Sequence, residues 1–233
     1  MPQFGGYSEA TSADIDDEFV MLDVSASQTK FIRAQNMPSG RSLADQYVCA
    51  NGALGQTIPP HTAGNSGSAL ATGALYLCPL ALAASLSIGH LAFISSVASA
   101  VSAPTHWWFG LFDNNRAALA FTADQTSTAW AALTIKSLAV ATIASGAASS
   151  FTTTYSGLYY LGIMMAASTC VGLCVGDLDI SGQGNSGLTG NPGLQAGRTD
   201  TAQTTVPAFP FTAGSFGAVT WPGGRLPYAW VAA

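Results

Sequence analysis

The side chains able to do chemistry are few, and they stand apart. Three histidines, His61, His90 and His106, each occur singly in the 233-residue chain. A metal site needs two or three donors at matched spacing, and no acid, cysteine or second histidine accompanies any of them in that way. His90 lies inside the apolar run SIGHLAFISSV and reads as a core imidazole; His106 opens HWWFGLFD, where a strand-edge position and a ligand contact fit equally well. Four cysteines are present: Cys49, Cys78, Cys170 and Cys174. The C-V-G-L-C spacing of the last two is not the two-residue spacing of redox motifs, so all four read as small buried hydrophobes. The tetrapeptide G-N-S-G occurs twice, around Ser66 and Ser186. It is not the G-x-S-x-G turn that exposes a nucleophilic serine, and both copies read as loop punctuation. Asp177-x-Asp179 is the closest pair of acids in the strand-rich region, where Asp113, Asp124 and Asp200 complete the set. Hydrolysis by paired carboxylates needs two acids held about 5–9 Å apart across a substrate, and nothing else here frames such a pair. No catalytic, cofactor-binding or metal-binding residue is therefore expected, and the chain reads as non-enzymatic.

Aromatic side chains offer a second chemistry, stacking on sugar rings. Trp107, Trp108, Trp130, Tyr159, Tyr160, Trp221 and Trp230 could supply it, although a β core and a subunit interface also consume aromatics. Trp107 and Trp108 are the expected points of any glycan contact.

Charge limits the partners. The chain carries 7 Lys+Arg and 12 Asp+Glu, only 8% of its residues, where about 25% is usual. A compact chain of this mass exposes roughly 9,800 Å², so the surface is thinly charged. Seven scattered cations cannot make the phosphate-neutralising patch that nucleic acid requires. A surface so poor in charge fits one covered by partners, including copies of itself. Residues 46–112 contain no charged side chain and 75–101 are strongly apolar, which raises the question of a membrane span. Pro79, Gly89 and His90 interrupt the run and no Lys or Arg flanks it, so two strands are expected and no membrane insertion. The N-terminus has no basic and apolar leader pattern.

These residues must be positioned by strands. Short apolar runs bounded by Gly, Pro, Asn, Ser or Asp recur at 73–82, 87–97, 106–113, 117–124, 133–142, 156–166, 171–178 and 226–232. Eight such runs predict an all-β sandwich or barrel. Asp113-Asn114-Asn115-Arg116 predicts a hairpin turn. Both registers of SGLYYLGIMMA are apolar, so both faces of that strand should be covered. Since a sandwich covers one face of each sheet, Leu158, Tyr159, Tyr160, Leu161, Ile163 and Met165 are expected at a subunit interface. Residues 51–69 read as a linker and 181–210 as a long projecting loop. Residues 1–50, which hold seven of the twelve acids, form a separate arm: EFVMLDV and TKFIRA flank a polar turn as two short strands. Phe19, Val20, Leu22, Asp23, Lys30, Phe31 and Ile32 are its expected docking residues.

The segments Trp108-Phe109-Gly110-Leu111-Phe112-Asp113, Thr122-Ala123-Asp124-Gln125-Thr126 with Ala129-Trp130, and Tyr155-Ser156-Gly157-Leu158-Tyr159-Tyr160-Leu161-Gly162 carry a resemblance. With the closing Pro227-Tyr228-Ala229-Trp230, they resemble a jelly-roll domain of virion proteins from tailed bacteriophages, especially those of actinobacterial hosts. The resemblance covers roughly 70–233. It implies a jelly-roll β-sandwich over 70–233 and a structural or adsorption role in the virion, as a minor tail or fibre protein. It also implies a homotrimer that meets other virion proteins and a host-surface glycan. Residues 17–33 are similar to short attachment segments of phage fibres. The chain has no heptad or repetitive shaft, which leaves a tail-tip, baseplate or capsid-decoration protein open beside a fibre.

Overall fold

The structure, a computed structural model, describes residues 18–23, 28–33, 53–58, 62–65, 67, 69–97, 104–179, 197–200, 202–215 and 225–233. The chain divides into two compact units, Met1–Ser42 and Leu43–Ala233. Every regular element described is a β-strand, so the fold is all-β with several antiparallel sheets. No helix of the described residues is long and apolar enough to cross a membrane.

The first unit is a hairpin of β1 (Glu18–Asp23) and β2 (Gln28–Arg33), with Phe19 opposite Ile32, Val20 opposite Phe31 and Leu22 opposite Thr29. The polar stretch SASQ separates two runs rich in Phe, Val and Ile, which suits paired strands joined by a short turn.

The second unit follows in chain order. It contains β3 (Ala53–Gln56), β4 (Ala63–Gly64), β5 (Ala74–Leu82), β6 (Ser87–Ile88), β7 (His90–Val97), β8 (His106–Phe112), β9 (Ala118–Thr122) and β10 (Ile135–Ile143). It continues with β11 (Gly146–Ala147), β12 (Phe151–Thr152), β13 (Gly157–Ala166), β14 (Gly172–Leu173), β15 (Val175–Asp179), β16 (Gly197–Asp200), β17 (Arg225–Pro227) and β18 (Ala229–Ala232). All eight apolar runs of the sequence are strands. Two further strands, β3 and β4, lie in the stretch that composition marks as a linker, and β3 pairs with β18. β16 likewise lies within 181–210 and pairs with β5. Backbone pairing does not require a long apolar run when a neighbour supplies the ladder.

The main path runs β16-β5-β13-β8-β9-β10-β7-β18-β3. It turns at β10. Residues Ile135 to Ala139 of that strand pair with β7, and Val140, Thr142 and Ile143 pair with β9, with a register shift between Val140 and Thr142. A bulge of this kind bends a strand and lets it change sheets. Two sheets result, β5-β13-β8-β9 and β10-β7-β18-β3. Pro79 sits beyond the part of β5 that β16 covers, as a residue without an N–H requires.

The largest core cluster draws on both sheets: Tyr76, Cys78 and Leu80 of β5, Leu91 and Phe93 of β7, Trp107, Phe109 and Leu111 of β8, Ala229 and Val231 of β18. The alternate residues of β5, β8 and β13 form a second cluster on the outer face, with Leu75, Leu77, Trp108, Phe112, Tyr160 and Met164. Over this outer layer a strap, residues 202–213, lays the half-buried Val206, Phe209 and Phe211. Both faces of β13 are covered, as its sequence demands, but the second cover is the chain's own strap. The expected subunit interface is corrected accordingly. Tyr159, Leu161, Ile163 and Met165 lie in the inner core, Tyr160 in the outer layer, and Leu158 is half-buried against it.

Candidate functional site

His106 opens β8 and Asp124 follows β9 on the neighbouring strand. Counted outward from the Asp113–Arg116 turn they are near-equivalent positions, and the imidazole Nδ1 lies 2.6 Å from Asp124 Oδ2. The pair is about three-quarters buried, with side chains 29% and 22% exposed. Asp124 Oδ1 is buried and takes no hydrogen bond among the described residues. A carboxylate on Nδ1 fixes the tautomer and orientation of an imidazole, which is half of a base–orienter arrangement. No hydroxyl or thiol is recorded on the other ring nitrogen among the described residues, and no group of three metal donors occurs there. What the pair does in the fold is to tie the 123–134 loop to β8, alongside the Gln125 amide, which donates to Trp107 O at 2.8 Å. The pairing was within reach of the sequence, because a hairpin centred on Asp113–Arg116 brings His106 and Asp124 together.

Trp107 and Trp108 are both fully buried. Trp107 stacks on Trp130 at 5.3 Å and its Nε1 donates to Thr128 O at 3.0 Å. Trp108 meets the edge of Phe121 at 5.2 Å and its Nε1 donates to Thr204 O at 3.3 Å, in the strap. Neither indole has a ring face open to a sugar, so the expected glycan contact at these two residues is corrected. They anchor the inner and outer layers respectively. Adjacent residues of a strand face opposite ways, and here both faces are interior.

The tyrosines of Y-S-G-L-Y-Y form a lock rather than a binding platform. Tyr155 stacks on Tyr159 at 4.4 Å with an 11° angle. The Tyr159 hydroxyl donates to Tyr155 O at 2.9 Å, and the Tyr155 hydroxyl donates to Leu158 O at 2.7 Å while accepting the Asn114 amide. The last contact joins this motif to the β8–β9 turn. In that turn Asp113 Oδ1 accepts the amides of Asn115 and Ala117, each at 2.8 Å. The left-handed residue is Arg116, at φ 67°. Burial pushes the Tyr155, Tyr160 and Tyr228 hydroxyls above the ordinary phenol range, with nearby Arg116 opposing the rise at Tyr160.

Cys78, Cys170 and Cys174 are free and buried. Cys78 donates to Leu161 O at 3.1 Å and Cys174 to Ser95 O at 3.4 Å. Burial pushes all three thiols upward, Cys78 far above the thiol range, which opposes the thiolate that reactivity needs. His90 is half-buried at a strand end, its Nδ1 3.1 Å from Ala233 O. Asp177 and Asp179 lie on β15, with Asp179 opposite Arg225 of β17. Cys49, His61, Ser66, Ser186 and Trp221 fall outside the described residues. Of the arm's residues, Phe19, Val20, Leu22 and Asp23 lie on β1, and Lys30, Phe31 and Ile32 on β2.

Sequence reasoning did not mark three exposed apolar side chains. Val97, Leu133 and Ile135 are 53%, 65% and 57% exposed, and they are the large hydrophobics recorded as exposed among the described residues. Val97 ends β7, Ile135 begins the antiparallel β10 opposite Ile94, and Leu133 lies in the turn before it. Comparison of the chain with protein-family models, curated proteins and solved structures finds no match.

Proposed function

We propose that the chain is a non-enzymatic component of a tailed-phage virion, of the minor tail or fibre type. In this reading the larger unit is a jelly-roll sandwich that assembles as a homotrimer. The hairpin unit is the arm that attaches it to other virion proteins, and the assembly takes part in host adsorption. The observation that carries the reading is the pairing scheme. Take β3, β5, β7, β8, β9, β10, β13 and β18 as eight successive strands. The first pairs with the last (β3–β18), the second with the seventh (β5–β13), the third with the sixth (β7–β10) and the fourth with the fifth (β8–β9). β18–β7 and β13–β8 then roll this long hairpin into two sheets. This scheme supports a double-sheet jelly roll, a fold that virion proteins use. A fold alone leaves the function open. The role comes from the resemblance, whose segments fall on β8, on the turn after β9 and on β13.

The test is made on virions purified through a density gradient, by quantitative mass spectrometry and immunogold labelling. The reading expects the chain to co-purify at a few copies per particle with label at the tail. A chain that remains wholly in the soluble fraction would overturn it. Hundreds of copies with label over the head would favour a second reading, a capsid-decoration protein docked through its arm. The separate Met1–Ser42 unit supports that alternative.

A further inference from the structure

We propose that the strap, residues 202–213, is a lid that opens as one unit while both sheets of the larger unit stay paired. The proposal concerns the larger unit alone and stands or falls independently of the virion role.

The ends of the strap are fastened by a small set of polar contacts. Asp200 stands just before it and Gly214 just after it. Asp200 Oδ2 accepts the Gly214 amide at 3.1 Å and the Thr199 hydroxyl at 3.0 Å. One carboxylate thus closes the strap into a loop whose two ends meet. The Gln203 amide donates to Gly73 O at 2.8 Å, and the Ala213 amide to Arg116 O at 3.0 Å. Thr204 O accepts the Trp108 indole and Phe211 O accepts the Ala118 amide. From Thr205 to Pro210 no backbone hydrogen bond is recorded among the described residues, and Pro207 and Pro210 have no N–H to give. That middle is held by the half-buried Val206 and Phe209, with Phe211 following them.

The sheet beneath does not need the strap for its own bonding. None of the rungs that join β5 to β13, β13 to β8 or β8 to β9 includes a strap residue. Lifting the strap breaks the contacts named above and the packing of three side chains, whereas unfolding the sheet breaks whole ladders. Segments with few buried contacts and few backbone bonds open at lower free energy than the elements that carry them. The open state uncovers Trp108, Phe112, Phe121 and Tyr160, all buried when the strap is down. Phe209 then lies 5.1 Å from Phe121, and Phe211 6.3 Å from Phe112. An aromatic surface thereby becomes reachable without unfolding, behind a clamp made by one carboxylate.

Native-state hydrogen exchange of the full chain, followed by NMR, tests this. The reporters are the protons that the closed strap protects: the amides of Gln203, Ala213 and Ala118 and the Trp108 indole N–H. They are expected to share one protection factor, about 100-fold or more below that of the β13 ladder amides. Ile163→Val, in the inner core, is expected to lower β13 protection by about 2- to 10-fold and to leave the reporters unchanged, because lid opening leaves Ile163 packed. Asp200→Ala is expected to lower the reporters by about 10-fold, and Asp200→Asn, whose amide oxygen still accepts the Gly214 amide, to lower them less. Reporters as well protected as β13, or lowered along with it by Ile163→Val, would mean that the strap leaves only on global unfolding, and the proposal is overturned. Reporters with widely different protection factors would mean residue-by-residue fraying, which overturns opening as a unit. An Asp200→Ala strap as well protected as the natural one overturns the clamp.

Discussion

Gly110 of β8 and Gly162 of β13 face each other across the ladder. They leave a hollow in the outer layer that aromatic rings fill. A Cβ at Gly162 would come 2.6 Å from Phe112 Cε2 and 2.9 Å from Leu77 Cδ2; one at Gly110 would come 2.8 Å from Phe112 Cε2 and 2.9 Å from Phe121 Cδ1. Gly162→Ala should therefore cost about 1–3 kcal/mol through overpacking, read as a lower urea midpoint at unchanged slope. Both glycines belong to the segments that carry the phage resemblance, and their positions were plain in the sequence. Their reason was not, because it depends on rings from other strands. Trp107 and Trp108 make the same point. Alternation places them on opposite faces, but only the strap hides the second face. The buried thiols and phenols carry a pH consequence. Their folded-state pKa values lie above the ordinary 9.0 of a thiol and 10.0 of a phenol, chiefly because of burial. The folded chain thus keeps protons that the unfolded chain releases, and stability falls as pH rises beyond those values. Urea unfolding should be insensitive to these groups below pH 9 and should weaken progressively above it. Cys78→Ala should flatten the slope in the alkaline range; an unchanged slope would remove Cys78 from the account.

The strand runs were readable because each pairs β-branched or aromatic residues with turn-forming ends. β3 and β16 were not readable. ALGQ and GRTD have little apolar content, and they are strands because β18 and β5 present edges to them. The strap was hidden for a similar reason. Val206, Phe209 and Phe211 are separated by Pro207, Ala208 and Pro210 and show no period. Their meaning appears only against the aromatic layer, where Phe209 and Phe211 lie 5.1 Å and 6.2 Å from Phe121. The strap's recorded backbone bonds lie near its ends. The Gln203 amide donates to Gly73 O, and the Ala213 amide to Arg116 O, while Phe211 O accepts the Ala118 amide. Its middle is held by apolar contact. Replacing Phe209 and Phe211 together by Ala should uncover the layer and raise the fluorescence of a hydrophobic dye such as ANS, with the far-UV spectrum retained. A dye signal equal to that of the natural chain would mean that the strap does not shield the layer.

At the scale of the whole molecule, charge is scarce and unevenly placed along the chain. Seven of the twelve acids lie in the first 45 residues, and the boundary between units falls at Ser42. A chain starting at Leu43 should therefore melt as the full chain does while failing to join virions. A truncated chain that unfolds would show that the arm supports the body. In the larger unit β5, β8 and β13 are apolar on both sides because both sides are interior.

The pairing of β3 with β18 has a mechanical consequence. Ala53, where the chain enters the larger unit's sheet, is paired with Ala232, where it leaves. Tension applied between these two points acts on the first rung of an antiparallel ladder and opens it one rung at a time, like a zip. Load carried between β3 and β10 would instead have to cross the β3–β18, β18–β7 and β7–β10 ladders. For the virion role proposed above, the safer anchor is the side of the sheet rather than its tail end.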